Sequence, residues 1–226
     1  MIAFDNVSKI YSSTSIALED VTFSIEPEEF VSFVGQSGAG KSTLLKLLLA
    51  EEKPRAGKVF FESIDVHRLK NGEVPGLRRR MGVVFQDYKL LPTKTAYENI
   101  AFAMEASGRS EEEIKSTVPQ VLELVGLADK AWHFPSELSG GEMQRVAIAR
   151  GLVNQPDVVI ADEPTGNLDP INTWEIINLL EKINELGTTV ILATHDKEVI
   201  DALKRRVITL EKGRVVRDEK RGRYVL

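Results

Sequence analysis

Apolar positions follow two rhythms along this chain of 226 residues. Short runs rich in β-branched and aromatic residues at 2–4, 17–25, 30–34, 58–61 and 81–85 carry the signal of strands, and Pro27, Glu28 and Glu29 make a turn before the third of them. From about residue 92 to 136 the character changes. Stretches 96–106 and 110–125 read as helices, Trp132, His133, Phe134 and Pro135 break the pattern, and no strand signal appears. Alternation then resumes with a helix over 142–153, a strand at 157–161, a helix over 171–186, a strand at 188–193, a helix over 197–203 and a closing pair at 207–210 and 214–217 turned by Lys212 and Gly213. The helix over 142–153 carries an apolar face of Met143, Val146, Ala147 and Ala149. Strands alternating with helices predict an α/β fold with a largely parallel sheet, interrupted by a helical insertion at about 92–153, in one domain spanning 1–226.

Composition narrows the function classes. Apolar residues make up 42% of the chain, enough for one well-buried domain. A net charge of -5 argues against a nucleic-acid binder, whose affinity comes mainly from Lys and Arg on phosphates. The cluster Arg78, Arg79, Arg80 therefore reads as a solvated face or a local acidic contact. With no cysteine there is no disulfide framework and no thiolate metal site, which fits a reducing compartment. The N-terminal residues lack the basic-then-apolar pattern of a secretion signal, and the apolar runs fall far short of the ~20 residues that cross a bilayer. Any membrane role is expected to come through a partner.

Three constellations carry chemistry. After the strand at 30–34 comes Gly35, Gln36, Ser37, Gly38, Ala39, Gly40, Lys41, Ser42, followed by Thr43 and an amphipathic run. Glycines allow close backbone approach, a helix start points N–H groups at an anion, Lys41 adds a compact positive charge and Ser42 offers a hydroxyl to Mg²⁺, so the pattern predicts a cradle for a nucleotide triphosphate. The second is the apolar strand ending in Asp162 and Glu163, two carboxylates at the end of a strand where α/β sheets bind ligands. Asp162 suits Mg²⁺ through its water shell, and Glu163 suits a proton acceptor for an attacking water. The third is Leu138, Ser139, Gly140, Gly141, Glu142 leading into a helix. Ser139 with the two glycine N–H groups could hold another phosphate, or Ser139 could simply cap the helix.

In order and spacing, these segments resemble the ATP-binding-cassette (ABC) ATPase family over nearly the whole chain. The resemblance implies a P-loop nucleotide-binding domain with a mainly parallel core sheet, an N-terminal antiparallel β part and a helical insertion. It implies ATP and Mg²⁺ as ligands, with Gln86 at the centre of the glutamine loop and touching the metal, Ser139 to Glu142 as the family signature, Asp162 on magnesium, Glu163 as catalytic base and His195 sensing the γ-phosphate. It places the stretch Asn167, Leu168, Asp169 at a subunit contact, and Tyr11 where members stack an aromatic ring on adenine, although by itself Tyr11 could be a surface aromatic. Members pair head to tail, so the resemblance implies an ATP-dependent homodimer in which Ser139 and Gly141 of one subunit close over ATP on Lys41 and Ser42 of the other. It also implies an integral membrane partner and a location at the cytoplasmic face of the membrane.

The chain departs from the family pattern at Glu142, where glutamine is frequent, at Met143, and at Glu28, where glycine is usual. The segment 161–169 resembles the branch whose membrane partners transmit force, which includes lipoprotein-release and macrolide-export ATPases, and residues 69–80 resemble the cell-division ATPases within that branch. Tyr88, Leu90 and Leu91 then either line a groove for a helix of the partner or belong to the core of the insertion. His67 and His133 match no motif.

Overall fold

The computed structural model describes residues 1–12 and 15–224. In chain order its elements are β1 (Ile2–Ser12), β2 (Ser15–Ile25), β3 (Phe30–Val34), α1 (Lys41–Leu48), β4 (Ala56–Phe61), β5 (Ile64–Asp65), α2 (Val74–Arg79), β6 (Met81–Phe85), α3 (Ala96–Glu105), α4 (Glu111–Leu124), α5 (Gly140–Leu152), β7 (Val158–Asp162), α6 (Pro170–Glu185), β8 (Thr189–Ala193), α7 (Lys197–Leu203), β9 (Arg206–Glu211) and β10 (Arg214–Glu219). Two compact units emerge, one of residues 1–78 and 187–226, the other of 79–186.

In the first unit, β2, β1, β4 and β5 form an antiparallel sheet in that order. Strand β1 is longer than its apolar stretch at 2–4 predicts, because backbone pairing with β2 carries it from Ile2 opposite Ile25 out to Ser12 opposite Ser15 through a largely polar segment. A ladder needs hydrogen-bond partners and not apolar side chains, so its length escapes a reading of periodicity. The same unit holds β3 flanked by β8 and β9, both parallel to it, with β10 antiparallel on β9. All five residues of β3 are buried, as expected for a strand covered on both faces. Phe23 joins the two sheets of this unit. Its ring stacks on Phe4 at 4.7 Å and meets Phe33 of β3 edge-on at 5.4 Å, both favoured aromatic geometries.

Two arginines fasten this unit. Arg206 on β9 donates to both carboxylate oxygens of Glu29 at 3.0 Å, to both of Asp218 at 2.7 Å, and to the Ser24 carbonyl at 2.8 Å. One guanidinium thus ties β2, the turn before β3, β9 and β10, and the hydrogen bonds it donates to Asp218 raise its pKa further. Arg78 donates to the carbonyls of Leu49 and Ala50, just past the C-terminal end of α1, where the helix dipole favours a cation.

In the second unit β6 and β7 run parallel, with Phe85 opposite Asp162. Helix α5 lies against β6 so closely that a side chain on Gly82 would run into the Gly151 carbonyl, an approach only glycine permits. Side-chain caps fix the helix starts. Thr95, Ser110 and Ser139 each accept from the backbone N–H three residues on, while Glu98, Glu113 and Glu142 reach back, closing three capping boxes. The buried residues of α5 are Gly141, Gln144 and Val146 to Ala149, whereas Met143 is only half-buried. Arg80 of the basic cluster pairs with Asp157 at 2.6 Å, which at this residue is the local acidic contact and not the solvated face of the two alternatives.

Candidate nucleotide site and relatives

Strand β3 delivers the chain into the segment from Gly35 to Gly40, and α1 starts directly at Lys41. Gly40, the N-cap, has φ +111°, and a side chain there would meet the Ala17 carbonyl at 2.7 Å and a Leu18 methyl at 2.8 Å. A glycine N-cap carries no side-chain acceptor, and α1 has no capping hydrogen bond at its start. Helices α3, α4, α5, α6 and α7 are all capped by a side chain, from Thr95, Ser110, Ser139, Asp169 and Asp196. Among these six helices α1 is the one whose N-terminus no side chain caps, which suits it to an external anion. Lys41 is 7% exposed, and its ammonium donates to the Gly35 carbonyl at 2.7 Å, folding the side chain back over the loop it follows. Gln36, Ser37, Gly38 and Ser42 are exposed, Thr43 is half-buried and Ala39 buried.

His195 belongs to the same unit. Phe33 of β3 lies opposite Ala193 of β8, and the Thr194 N–H donates to the Phe33 carbonyl at 3.1 Å. His195 thus leaves the C-terminal end of the strand beside the one that feeds the cradle, and Asp196 follows it as the cap of α7. Tyr11 stands at the end of β1, 49% exposed, with the Lys9 ammonium 4.9 Å from its ring centre. Lys9 is itself held by Glu52 at 2.8 Å.

In the second unit Gln86 and the carboxylate pair leave the C-terminal ends of adjacent strands. Glu163 turns the chain sharply, with φ +50°, so that it and Asp162 do not continue the strand's alternation. The Gln86 amide donates to the Asn167 side-chain oxygen at 3.2 Å, and the Asn167 amide donates to the Gln86 carbonyl at 3.2 Å. This reciprocal pair joins the glutamine loop to the segment after Glu163.

Ser139 is the N-cap of α5. Its hydroxyl accepts from the Glu142 N–H at 3.2 Å, and the Glu142 carboxylate accepts from the Ser139 N–H at 2.7 Å. That backbone N–H, more than any other influence, holds the Glu142 carboxyl below its ordinary value, with Lys130 at 3.8 Å adding to it. The glutamate that departs from the family pattern thus has a local structural job.

Three residues the sequence reading passed over bear on this loop. Asn99 of α3 is fully buried and uses its whole amide on the chain that precedes α3: it accepts from the Leu91 N–H at 2.8 Å and donates to the carbonyls of Leu91, Lys94 and Thr95. Gln144 of α5 donates to the Phe85 carbonyl at 3.4 Å. Arg150 of α5 donates to the carbonyls of Tyr88 and Lys89. The available signal was a polar residue at a core-facing helical position, as at Asn99 beside Ile100 and at Gln144 beside Val146. Tyr88, Leu90 and Leu91 are half-buried.

Residues 18–166 match the ABC transporter family, and the chain belongs to it as an ATPase of the ABC type, which binds and hydrolyses ATP. Among its curated relatives, it is 53% identical to the cell division ATP-binding protein FtsE of Bacillus subtilis (strain 168) over 99% of this chain and 98% of that one. It is 50% identical to the protein of the same name from Escherichia coli (strain K12), over 94% and 96% of the two chains. A solved structure described as the dimeric post-hydrolysis state of the ATP-binding cassette MJ0796 bound to ADP and Pi superposes with a TM-score of 0.87 at 38% identity, covering 99% of this chain and 100% of the other.

Proposed function

We propose that this chain is the ATP-hydrolysing subunit of a membrane complex serving cell division, and that it works as a head-to-tail homodimer at the cytoplasmic face of the cell membrane through an integral partner of the FtsX type. The observation that carries the nucleotide part is the start of α1, a left-handed glycine cap with no side-chain acceptor followed at once by Lys41. Support for the division role is the 50–54% identity to proteins named for it across nearly their full length. Support for the dimer is the dimeric state of the cassettes this chain superposes on.

In this reading the N–H groups of Gly38 to Thr43 and the Lys41 ammonium hold the β- and γ-phosphates, with Tyr11 against adenine. Ser42, Gln86 and Asp162 offer the neutral and anionic oxygens that a hard divalent cation takes, and Mg²⁺ held there would offset the charge spreading over the transferred phosphoryl group. Glu163 accepts the proton of the attacking water, and His195 orients that water toward the γ-phosphorus. Ser139, Gly140, Gly141 and Glu142 of the second subunit complete each site from the other side. The cycle of closure and hydrolysis is relayed through the FtsX-type partner to cell-wall hydrolases outside.

A second reading, the ATPase of a lipoprotein-release, macrolide-type or other ABC transporter, has in its favour the likeness to a structure described as a bacterial ABC transporter cassette, at a TM-score of 0.88 and 40% identity. The two are separated by reconstituting the full chain carrying Glu163→Gln with the FtsX-type protein of the same cell in detergent. Mg-ATP is expected to yield a stable complex of two copies of each by light scattering. A chain that binds ATP yet stays monomeric and ignores that partner overturns the division reading.

A further inference from the structure

The glutamine loop is held in a backbone conformation that its own residues disfavour. Tyr88 and Lys89 are consecutive non-glycine residues in the left-handed region, at φ +58° and +51°, where the Cβ crowds the backbone. Such a pair persists only when its surroundings over-determine it. The restraint comes from α5. Arg150 donates through one terminal nitrogen to the Lys89 carbonyl at 2.6 Å and through the other to the Tyr88 carbonyl at 2.8 Å, so that the fork grips both carbonyls of the disfavoured turn.

No carboxylate balances this guanidinium among the described residues, and burial is what disfavours its charge. A half-buried cation directed at backbone, with no carboxylate beside it among the described residues, is a costly arrangement for stability alone. The same helix meets the loop at two further levels. Gln144 donates to the carbonyl of Phe85, next to Gln86. Near the helix start, the Tyr88 hydroxyl lies 3.1 Å from where a Cβ on Gly140 would stand. Asn99 pins the far end of the segment at Leu91.

We infer that Arg150 is a positioning residue for hydrolysis: by gripping the Tyr88 and Lys89 carbonyls it fixes the glutamine loop to the helix that begins at Ser139, so that Gln86 and the signature segment move as one body. The inference rests on the reading that Gln86 acts in hydrolysis, and the test separates the two.

Lys89 is exposed, which makes it a reporter. A protease needs an extended chain, so the gripped loop resists trypsin after Lys89. In the full-length protein, Arg150→Met is expected to speed cleavage after Lys89, followed by mass spectrometry, by tenfold or more. It is expected to lower kcat for ATP about tenfold with KM within twofold. Arg150→Lys, which keeps the charge and loses the fork, falls between the two and serves if the methionine variant does not fold. Adding Lys89→Gly, which adopts the left-handed turn without steric cost, is expected to restore kcat of the Arg150→Met protein at least threefold. A general loss of packing would not be relieved by that glycine.

Cleavage no faster in either Arg150 variant, or a kcat deficit untouched by Lys89→Gly, overturns the inference. Faster cleavage with unchanged kcat overturns it as well. The role of Gln86 is read independently from Gln86→Ala, whose unaltered turnover would count against that role and not against the grip.

Discussion

Gly40→Ala probes the link between backbone conformation and nucleotide binding most directly. At φ +111° an alanine sits outside its allowed regions, and its Cβ would lie 2.7 Å from the Ala17 carbonyl and 2.8 Å from a Leu18 methyl, both on β2. The dihedral alone costs about 1–3 kcal/mol. The contact with a carbonyl held in a sheet cannot be relieved by a rotamer change, so the total should be about 3 kcal/mol. For a chain of this size that corresponds to a fall of roughly 6–12 °C in Tm.

The native backbone offers a matched control. Gly38 also has a positive φ, +81°, but a Cβ there meets nothing within 4 Å, so Gly38→Ala carries the dihedral cost without the collision. Differential scanning fluorimetry with and without Mg-ATP reads both terms. The native protein gains stability with ligand as RT ln(1 + [L]/Kd). Gly40→Ala should melt lower than Gly38→Ala and lose most of the ATP-induced shift, because the only escape from the clash is to move the cradle. Equal melting of the two alanine variants, or an intact ATP shift in Gly40→Ala, would refute the reasoning.

Other expectations follow from the same structure. Arg206→Met should lower the urea midpoint by an amount worth about 2 kcal/mol, since the side chain is 14% exposed and its loss strands Glu29 and Asp218, at 25% and 36%; an unchanged midpoint would show the clamp to be idle. The Glu142 carboxyl is held below its ordinary value by the Ser139 N–H, so its contribution to capping α5 is full above about pH 4.5 and fades as pH falls through the lowered value. The stability advantage of the native chain over Glu142→Ala should shrink in that acid window, whereas Glu142→Gln, which does not titrate, should keep a constant advantage over alanine, as monitored by chemical unfolding across pH 3 to 7. Lys41→Ala should abolish most ATP binding by calorimetry. Asn167→Ala, by freeing the Gln86 amide from its 3.2 Å partner, should change the Mg²⁺ concentration for half-maximal turnover in the same direction as removing Gln86 itself.

What the amino-acid sequence determined by itself is local. Glycine spacing before Lys41, an apolar strand ending in Asp162 and Glu163, and Ser139 three residues before Glu142 each encode a turn or cap whose geometry depends on a handful of neighbouring residues. Strand polarity followed from the alternation, and β3, β8 and β9 are indeed parallel while the closing hairpin of β9 and β10 is not. The reading of Ser139 left open whether it binds phosphate or caps a helix, and the cap is present in the fold.

Only the tertiary structure decided the long-range partners. Nothing near Arg150 in sequence indicates that its guanidinium closes on carbonyls more than sixty positions earlier, or that Asn99 holds the chain leading into its own helix. Arg206 gave no hint of gathering Glu29 and Asp218. Hydrophobic periodicity specifies which face of an element is buried, whereas a backbone carbonyl is present at every residue and leaves no mark in the sequence. Which carbonyls a half-buried arginine or a buried asparagine will grip is settled only when the chain has folded around it.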